Sequence, residues 1–389
     1  MTVSLPRGFR AAGVTAGLKA SGTPDLALVV NDGPDHHAAA VFTSNRVEAA
    51  PVTWSRQVVS DGRADVVVLN SGGANACTGP QGFLDTHRTA EHVAVALAVS
   101  AGDVVVCSTG LIGELLPMDT LLAGVDAAAG ALSADGHEAA AVAIKTTDTV
   151  HKVATVVVPD GAEGGGWSVS GMAKGAGMLA PALATMLVVL TTDAVVEPAD
   201  LDEALRSATE VSFDRIDSDA CMSTNDTVVV LASGASGVAV DRPALSAALT
   251  TVCRDLARQL IADAEGAAHD IAIEVRSAAT TEDALEVARA VARNTLFKCA
   301  IFGNDPNWGR VLAAVGTTKA AFDPTALDVA MNGVEVCRAG GVGADRSLVD
   351  LTPREVHVLV ELHAGSATAT IWTNDLTHDY VHENSAYST

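Results

Sequence analysis

The sequence predicts a layered protein that mixes α-helices with β-sheets, in the α/β or α+β class. Short β-branched runs recur along its 389 residues, and several of them are too uniformly apolar to have one side in water. Amphipathic helical patterns lie between these runs. Aromatic residues make up only 3% of the chain and glycines number 34, so small aliphatic side chains must fill a core in which backbones approach closely.

Eight strands and three helices stand out along the chain. The predicted strands are Val66–Leu69, Val104–Cys107, Val153–Val158, Met186–Leu190, Thr227–Leu231, Ile271–Val275, Val356–Val360 and Ala367–Trp372. The predicted helices are Asp200–Ala208, Pro243–Ala264 and Glu282–Arg293, and Thr280 and Thr281 can cap the third. The sequence PDGAEGGG at Pro159–Gly166 predicts a hairpin turn, and residues 276–279 mark a candidate domain boundary.

Charge excludes two classes of partner. Lysine and arginine total 24 against 47 aspartate and glutamate residues, which gives a formal charge of −23. A surface this acidic repels phosphate backbones and anionic lipids, so neither nucleic acid nor a membrane is an expected partner. The longest apolar run, Met178–Leu190, is too short to span a bilayer. The N-terminus lacks a secretory apolar segment, and six cysteines without C-x-x-C spacing predict reduced, mostly buried thiols, so we expect a cytoplasmic location.

One segment combines unusual residues with the start of a buried strand. From Met172 the chain reads MAKGAGMLAPALATML, in which Ala184 and Thr185 lead directly into the apolar run that begins at Met186. A hydroxyl at the start of a buried strand is well placed as a nucleophile, because packing fixes its backbone while its side chain can face a cleft. The alternative is a buried threonine whose hydroxyl bonds a backbone carbonyl.

Eight further stretches accompany this segment in the same order along the chain. They are AVFTSNRVEAAPV (Ala40–Val52), LNSGGANACTG (Leu69–Gly79), STGLIGELLPMD (Ser108–Asp119), KTTDTV (Lys145–Val150), STNDTV (Ser223–Val228), DAEG (Asp263–Gly266), FGNDPNWGRVLAAVG (Phe302–Gly316) and NDLTHDYVHENSAYST (Asn374–Thr389). Together they resemble the ornithine acetyltransferase family, also called the ArgJ family of glutamate N-acetyltransferases. Any single match would be weak, but eight collinear matches are specific.

The resemblance implies both a fold and a cleavage site. The expected fold is a sandwich of sheets flanked by helices, of the DmpA and ArgJ type, with a smaller C-terminal α+β domain. Family members cut themselves before a threonine, which maps the cut between Ala184 and Thr185. Residues 1–184 would then be an α-chain that forms the N-terminal part of the catalytic core, residues 185–275 would begin the β-chain and complete the core, and residues 276–389 would be its C-terminal domain. The freed α-amine, with a reference pKa of about 8 against about 10.4 for lysine, could act as the base for the hydroxyl of Thr185.

The turn after the Val104–Cys107 strand is a candidate oxyanion hole. Ser108-Thr109-Gly110 ends in a glycine whose N–H can approach a ligand closely. The family uses the threonine and glycine at this place to stabilise an oxyanion, which implies Thr109 and Gly110 here. The alternative is an ordinary turn at the end of a strand.

Two charged residues are candidates for binding the ends of an amino acid. Lys174 lies in an apolar, glycine-rich stretch, and burying it unpaired would be costly, so it should meet an anion. The resemblance gives it the α-carboxylate of the substrate; the alternative is a solvated surface lysine. Glu265 follows a predicted helix, where the helix dipole disfavours a carboxylate. The resemblance assigns it to substrate binding, suited to the ammonium of ornithine.

The resemblance assigns further substrate contacts to Thr146, Thr147, Thr185, Asn384 and Thr389. If the first two lay in a strand, alternation would allow only one of them to face the site. The two tyrosines near the chain end, Tyr380 and Tyr387, predict a C-terminus that docks on the protein.

These motifs predict an acetyltransferase that moves the acetyl group of N-acetyl-L-ornithine to L-glutamate in arginine biosynthesis, through an acyl-enzyme on Thr185. No metal and no prosthetic group are expected, and acetyl-CoA would enter only as an additional acetyl donor. The family suggests a heterotetramer of two α and two β chains. Two other hypotheses for the function stay open. One is a self-processing aminopeptidase or amidase that passes the acyl group to water, and the other is a non-catalytic regulator that binds amino acids.

Overall fold

Two sheets packed face to face form the larger part of the protein. The structure is a computed structural model that describes residues 5–160, 165–180 and 186–386. Its strands are β1 (Phe9–Val14), β2 (Leu26–Asn31), β3 (His37–Phe42), β4 (Val66–Asn70), β5 (Val104–Ser108), β6 (Lys152–Asp160), β7 (Gly165–Lys174), β8 (Leu187–Thr192), β9 (Thr227–Ala232), β10 (Asp270–Ala278), β11 (Asp328–Met331), β12 (Val334–Arg338), β13 (Gly341–Val342), β14 (Glu355–Glu361) and β15 (Ala367–Asn374). Its helices are α1 (Ala50–Val58), α2 (Gly79–Leu97), α3 (Met118–Gly130), α4 (His137–Ala143), α5 (Pro198–Glu210), α6 (Arg242–Ala262), α7 (Thr281–Ala292), α8 (Thr295–Phe302), α9 (Trp308–Val315) and α10 (His378–Ala386).

The sandwich has four layers. The first sheet has the strand order β1-β2-β4-β5 and the second has the order β3-β9-β8-β7-β6. Apolar side chains of the two sheets meet in one core, while α2 and α3 cover the outer face of the first sheet and α5 and α6 cover the outer face of the second. In β8, Leu187 and Val189 face the first sheet, whereas Val188 and Leu190 face the helices. This strand therefore has no face in water, as its uniform apolar sequence predicted.

A third sheet forms a separate core near the C-terminus. Its strand order is β13-β12-β11-β14-β10-β15, and α7, α8 and α9 pack against it. The sheet begins with β10 at Asp270, so residue 276 falls inside its first strand. The predicted division of the chain into domains stays a prediction.

The predicted class, sheets flanked by helices in a mixed α/β protein, is confirmed. All eight predicted strands and all three predicted helices exist, and Thr280 caps α7 by accepting a hydrogen bond from the Asp283 N–H at 3.0 Å. Seven strands of the described ranges were not predicted: β1, β2, β3, β7, β11, β12 and β13. In β1, β3 and β7 the runs FRAAGV, HAAAVF and GGWSVSGMAK are rich in alanine and glycine, which have low β-propensity. The apolar run LALVVN of β2 carries a strand pattern that sequence reasoning missed.

Strands β6 and β7 pair as a hairpin up to Asp160 and Gly165, so residues 159, 160, 165 and 166 of the predicted turn belong to the strands instead. The other four residues of that turn, 161–164, lie outside the described ranges.

The burial of the cysteine side chains differs from the prediction. All six cysteines are unpaired, but Cys77, Cys221 and Cys299 are exposed, so the prediction of mostly buried thiols is wrong for half of them. Each of these three lies in a loop or on the open side of a helix. Among the helices of the described ranges, none is long and apolar enough to cross a membrane.

Candidate active site

The candidate site lies where the ends of strands from both sheets meet. Lys174 is the last residue of β7 and pairs with Leu187, the first residue of β8, which in turn pairs with Thr227 at the start of β9. In the other sheet, β5 ends one residue before Thr109. The Lys174 Nζ donates a hydrogen bond to the Thr109 Oγ1 at 3.3 Å, so this contact joins the two sheets at one edge of the sandwich.

Three predicted site residues lie outside the described ranges: Ala184, Thr185 and Thr389. Their assignments as cleavage site, nucleophile and substrate contact therefore stay predictions. The chain enters β8 through Met186, which directly follows Thr185 in the sequence, so the described residues around Met186 are the ones that bear on the nucleophile.

The turn that contains Thr109 and Gly110 is held rigidly. The Thr109 N–H donates to the Asn70 carbonyl at 3.0 Å and the Thr109 carbonyl accepts from the Gly73 N–H at 3.0 Å. Since its N–H is engaged, the donor that Thr109 can offer a ligand is its hydroxyl, whose oxygen already accepts from Lys174. Gly110 has a φ of +132°, and a Cβ there would lie 2.8 Å from the Gly73 nitrogen. Only glycine fits this close approach of two loops.

We expect Gly110→Ala to lower the rate of acetyl transfer by roughly 100- to 1000-fold, the effect of losing one oxyanion donor, because the added Cβ must push the turn away from Gly73. Steady-state kinetics on purified protein measure this loss. Gly113→Ala is the matched control, since Gly113 also has a positive φ, +88°, but a Cβ there would meet nothing within 4 Å. Equal activity of the two variants would contradict the assignment.

Lys174 is buried among other charged side chains. It is 1% exposed, and burial lowers its pKa, an effect that Asp148 partly offsets. Asp148 accepts hydrogen bonds from the Lys152 Nζ and from the Gly175 N–H, both at 2.6 Å. Burial alone would raise the pKa of Asp148, but the charges of Lys174 and Lys152 lower it to about 2. An ionised carboxylate of the protein therefore faces Lys174, and the role of Lys174 towards a substrate carboxylate stays a prediction.

Sequence reasoning missed Asp148 and Lys152. Lys152 is fully buried and also forms an ion pair with Asp263 at 2.6 Å, which ties the start of β6 to the end of α6. The signal was present: Asp148 is the acidic residue of KTTDTV, and Lys152 follows it four residues later in an otherwise β-branched run. A fully buried charge such as Lys152 needs an opposite charge close by.

Sequence reasoning also missed Asp226, the acidic residue of STNDTV. It is fully buried at the start of β9, and its Oδ1 accepts a hydrogen bond from the Met186 N–H at 2.9 Å. Burial raises the pKa of this carboxyl to about 8. The neighbouring Asn225 donates to the carbonyls of Ala74 and Ser108 at 2.6 and 2.8 Å, which fixes the end of β5 against the start of β9.

Glu265 lies beside a cavity three residues beyond the end of α6. The cavity has a volume of about 540 Å³, and Thr147 and residues of α10 also line it. The Asn384 Nδ2 donates to the Glu265 Oε2 at 2.9 Å, so α10 contacts Glu265. Tyr387, on which the predicted docking of the chain end also depends, lies outside the described residues, so that docking stays a prediction. A Cβ on Gly177 would lie 2.5 Å from this carboxylate, which shows how closely Glu265 packs on the loop after Lys174.

Thr146 and Thr147 lie in a bend between α4 and β6, so strand alternation does not apply to them. The Thr146 N–H donates to the Asp148 Oδ2 at 3.0 Å, and Thr147 lines the Glu265 cavity. Each therefore adjoins a different part of the site. Which of their hydroxyls contacts a substrate stays a prediction.

The predicted residues form two groups separated by one short loop. Thr109 and Lys174 are buried at the strand ends, whereas Thr147 and Glu265 line the cavity and Asn384 hydrogen-bonds Glu265. The loop after Lys174 runs between them, because the Glu265 N–H donates to the carbonyl of residue 176 at 3.0 Å. Burial lowers the pKa of Lys174, and the charge of Glu265 partly offsets that lowering, so the two groups of residues interact electrostatically.

In the part of the chain that the structure describes, no group of three or more histidine, cysteine, aspartate or glutamate side chains could hold a metal ion. The prediction that the protein uses no metal remains a prediction.

A hydroxyl supported by a buried lysine, next to a rigid glycine turn at the ends of strands, is suited to an enzyme of acyl transfer. Residues 10–389 match the model of the ArgJ family. The chain therefore belongs to the ArgJ family, and both the predicted family and the predicted class of enzyme, glutamate N-acetyltransferase, are confirmed.

The relatives are similar over their full lengths. The chain is 66% identical over 388 residues to the arginine biosynthesis bifunctional protein ArgJ of Streptomyces coelicolor and 64% identical over 389 residues to that of Thermobifida fusca, with 100% of each chain covered in both cases. A crystal structure of ornithine acetyltransferase from Mycobacterium tuberculosis, complexed with ornithine, is 56% identical over 47% of this chain and 94% of that chain, with a TM-score of 0.44.

Proposed function

We propose that this protein transfers the acetyl group of N-acetyl-L-ornithine to L-glutamate in arginine biosynthesis, with Thr185 as the nucleophile. The observation that carries the proposal is the contact of Lys174 with the Thr109 hydroxyl beside the strand that follows Thr185. Membership in a family whose relatives are named arginine biosynthesis bifunctional proteins supports the pathway.

The first step is cleavage of the chain itself. The Thr185 hydroxyl attacks the carbonyl carbon of Ala184, the C–N bond between the two residues breaks, and the hydroxyl proton passes to the released nitrogen. Water then hydrolyses the resulting ester, which leaves a carboxylate on Ala184 and restores the hydroxyl of Thr185. The new α-amine, with a reference pKa of about 8, is a suitable base for that hydroxyl at neutral pH.

Acetyl transfer then follows in two halves. The Thr185 amine takes the hydroxyl proton as the oxygen attacks the acetyl carbonyl of N-acetyl-L-ornithine. The Thr109 hydroxyl and the Gly110 N–H stabilise the oxyanion, and the amine returns the proton to ornithine as the C–N bond breaks. The amine of L-glutamate next attacks the acetyl ester, and Thr185 leaves with its proton restored. The acetyl group is conserved, and no prosthetic group is needed.

The loop after Lys174 separates a positively charged side chain from a negatively charged one. This arrangement suits an amino-acid substrate that carries a carboxylate and an ammonium group. Lys174 would bind the α-carboxylate, and Glu265 would bind the side-chain ammonium of ornithine. Thr146, Thr147, Asn384 and Thr389 complete the substrate contacts, and acetyl-CoA would enter only as an additional acetyl donor. We further propose a cytoplasmic heterotetramer of two α and two β chains.

Two measurements test the proposal. Intact mass spectrometry of purified protein should show two chains that meet at Ala184 and Thr185. Incubation with N-acetyl-L-ornithine should give acetyl-glutamate only when glutamate is present, and acetyl-CoA can be tried as donor in parallel. Release of acetate without glutamate would favour a hydrolase. Ornithine binding without turnover would favour a non-catalytic regulator.

A further inference from the structure

The start of β8 is anchored by a carboxyl that strand pairing does not require. The Met186 carbonyl already accepts from the Thr227 N–H at 3.1 Å, which joins β8 to β9. The Asp226 Oδ1 adds a second bond by accepting from the Met186 N–H at 2.9 Å. Both backbone groups of Met186 are therefore held by two consecutive residues of the chain, Asp226 and Thr227.

The carboxyl of Asp226 is buried, and burying a carboxyl costs desolvation free energy. Asp226 is 0% exposed, and its backbone carbonyl accepts from the Thr43 N–H at 3.0 Å. Its Oδ2 has no hydrogen-bond partner among the described residues, and Lys174 at the end of β7 is the charged residue that acts on the carboxyl. An apolar residue would fill such a site at a lower cost of desolvation. The carboxyl therefore supplies something other than packing.

The opposite end of β8 offers a comparison. Asp193 directly follows this strand, is 2% exposed and accepts from the Ser168 N–H at 2.7 Å. It also pairs with the half-exposed Arg7 at 3.1 Å. Both aspartates thus accept a backbone N–H beside the same strand, but only Asp226 acts on the residue that follows Thr185 in the sequence.

We propose that Asp226 is a positioning residue for Thr185, which acts by fixing the N–H of Met186. A peptide unit is planar from one Cα to the next, so an anchor on this N–H constrains the link that joins Met186 to Thr185. Misplacement of a nucleophile by about 1 Å can cost roughly 100-fold in rate. The anchor serves both chain cleavage and acetyl transfer, and this inference rests on the proposed role of Thr185.

The test compares three variants of the full chain with the wild type. Asp226→Leu keeps the approximate shape of the side chain but accepts no hydrogen bond, whereas Asp226→Asn keeps an oxygen acceptor. Asp193→Leu is the matched control at the other end of β8. Intact mass spectrometry follows the uncut chain over time after a pulse of cell-free synthesis, and thermal unfolding reports the stability of each variant. Steady-state kinetics on the cut fraction separate kcat from KM.

We expect Asp226→Leu to cut at least about tenfold more slowly than Asp193→Leu and to lose kcat with little change in KM, and Asp226→Asn to recover most of the rate. Equal cutting rates in the two leucine variants, or an asparagine variant as slow as Asp226→Leu, would overturn the inference. Asp226→Ala replaces Asp226→Leu if the leucine does not pack. Failure of both to fold, while Asp193→Leu folds, would show a purely structural role and overturn it too. A wild type that stays uncut would instead overturn the proposed function itself.

Discussion

Thr185→Ala is expected to leave a single uncut chain of 39.4 kDa and to abolish acetyl transfer. Without the hydroxyl no attack on the Ala184 carbonyl occurs, so the peptide bond stays intact and the α-amine that serves as the base is never released. The variant thus loses the nucleophile and its base together. Intact mass spectrometry reports the cut, and the assay with N-acetyl-L-ornithine and glutamate reports the transfer.

Thr185→Ser is the matched control for this prediction. Serine keeps the hydroxyl and loses only a methyl group, so it should still cut, although more slowly, because serine is less restricted about χ1 than the β-branched threonine. A Thr185→Ala protein that is cut after residue 184, or that transfers acetyl groups at the wild-type rate, would show that another residue is the nucleophile.

Lys174→Met is expected to have the second largest effect. Methionine fills a similar volume without charge, so the variant loses the proposed partner of a substrate carboxylate and the hydrogen bond to Thr109. Hydrogen bonds to charged groups are worth about 1.5–3 kcal/mol, so we expect KM for both amino-acid substrates to rise about 10- to 100-fold. A loss of kcat with unchanged KM would contradict carboxylate binding and assign Lys174 to the support of Thr109.

The same variant should be less stable near neutral pH and should lose less stability than the wild type between about pH 4 and pH 2. The depressed pKa of Asp148, about 2, gives stability that is present above its ordinary value near 3.8 and is lost as the pH falls through 2. Without Lys174 that pKa moves back towards 3.8, so the stability that the ionised carboxylate adds above pH 3.8 becomes smaller, and less of it is lost on acidification. Lys298→Met is the control, because Lys298 is also buried but donates to the Ser218 carbonyl and to Thr373. It should lower stability without raising KM.

Much of the fold could be predicted because its central strands are uniform apolar runs. Strands such as β8 and β9 carry β-branched residues on both faces, which marks them as buried on both sides. Strands β1 and β3 could not be predicted, because their alanines carry no strand signal and become strand only through pairing with β2 and β9. Tertiary contacts decide the structure of such segments.

The site could be predicted only in part. Family motifs pointed to Thr109, Lys174 and Glu265, and the structure brings the first two into contact. Asp148 and Asp226 stood in the same motifs, but their importance depends on burial and on partners far away in the sequence. Such long-range pairing has no local signature, so a carboxylate in a turn and one buried beneath a lysine look alike in the sequence.

The strand order of the second sheet would have a consequence if the chain were cut after residue 184, as proposed. In the order β3-β9-β8-β7-β6, the strands β9 and β8 come after residue 185, and they lie between β3 on one side and β7 on the other, which both come before residue 184. The two products would therefore interlock, with backbone hydrogen bonds along both borders of the inserted pair. Separating them would mean tearing the central sheet in two places, so dissociation and unfolding of the cut protein would be one event.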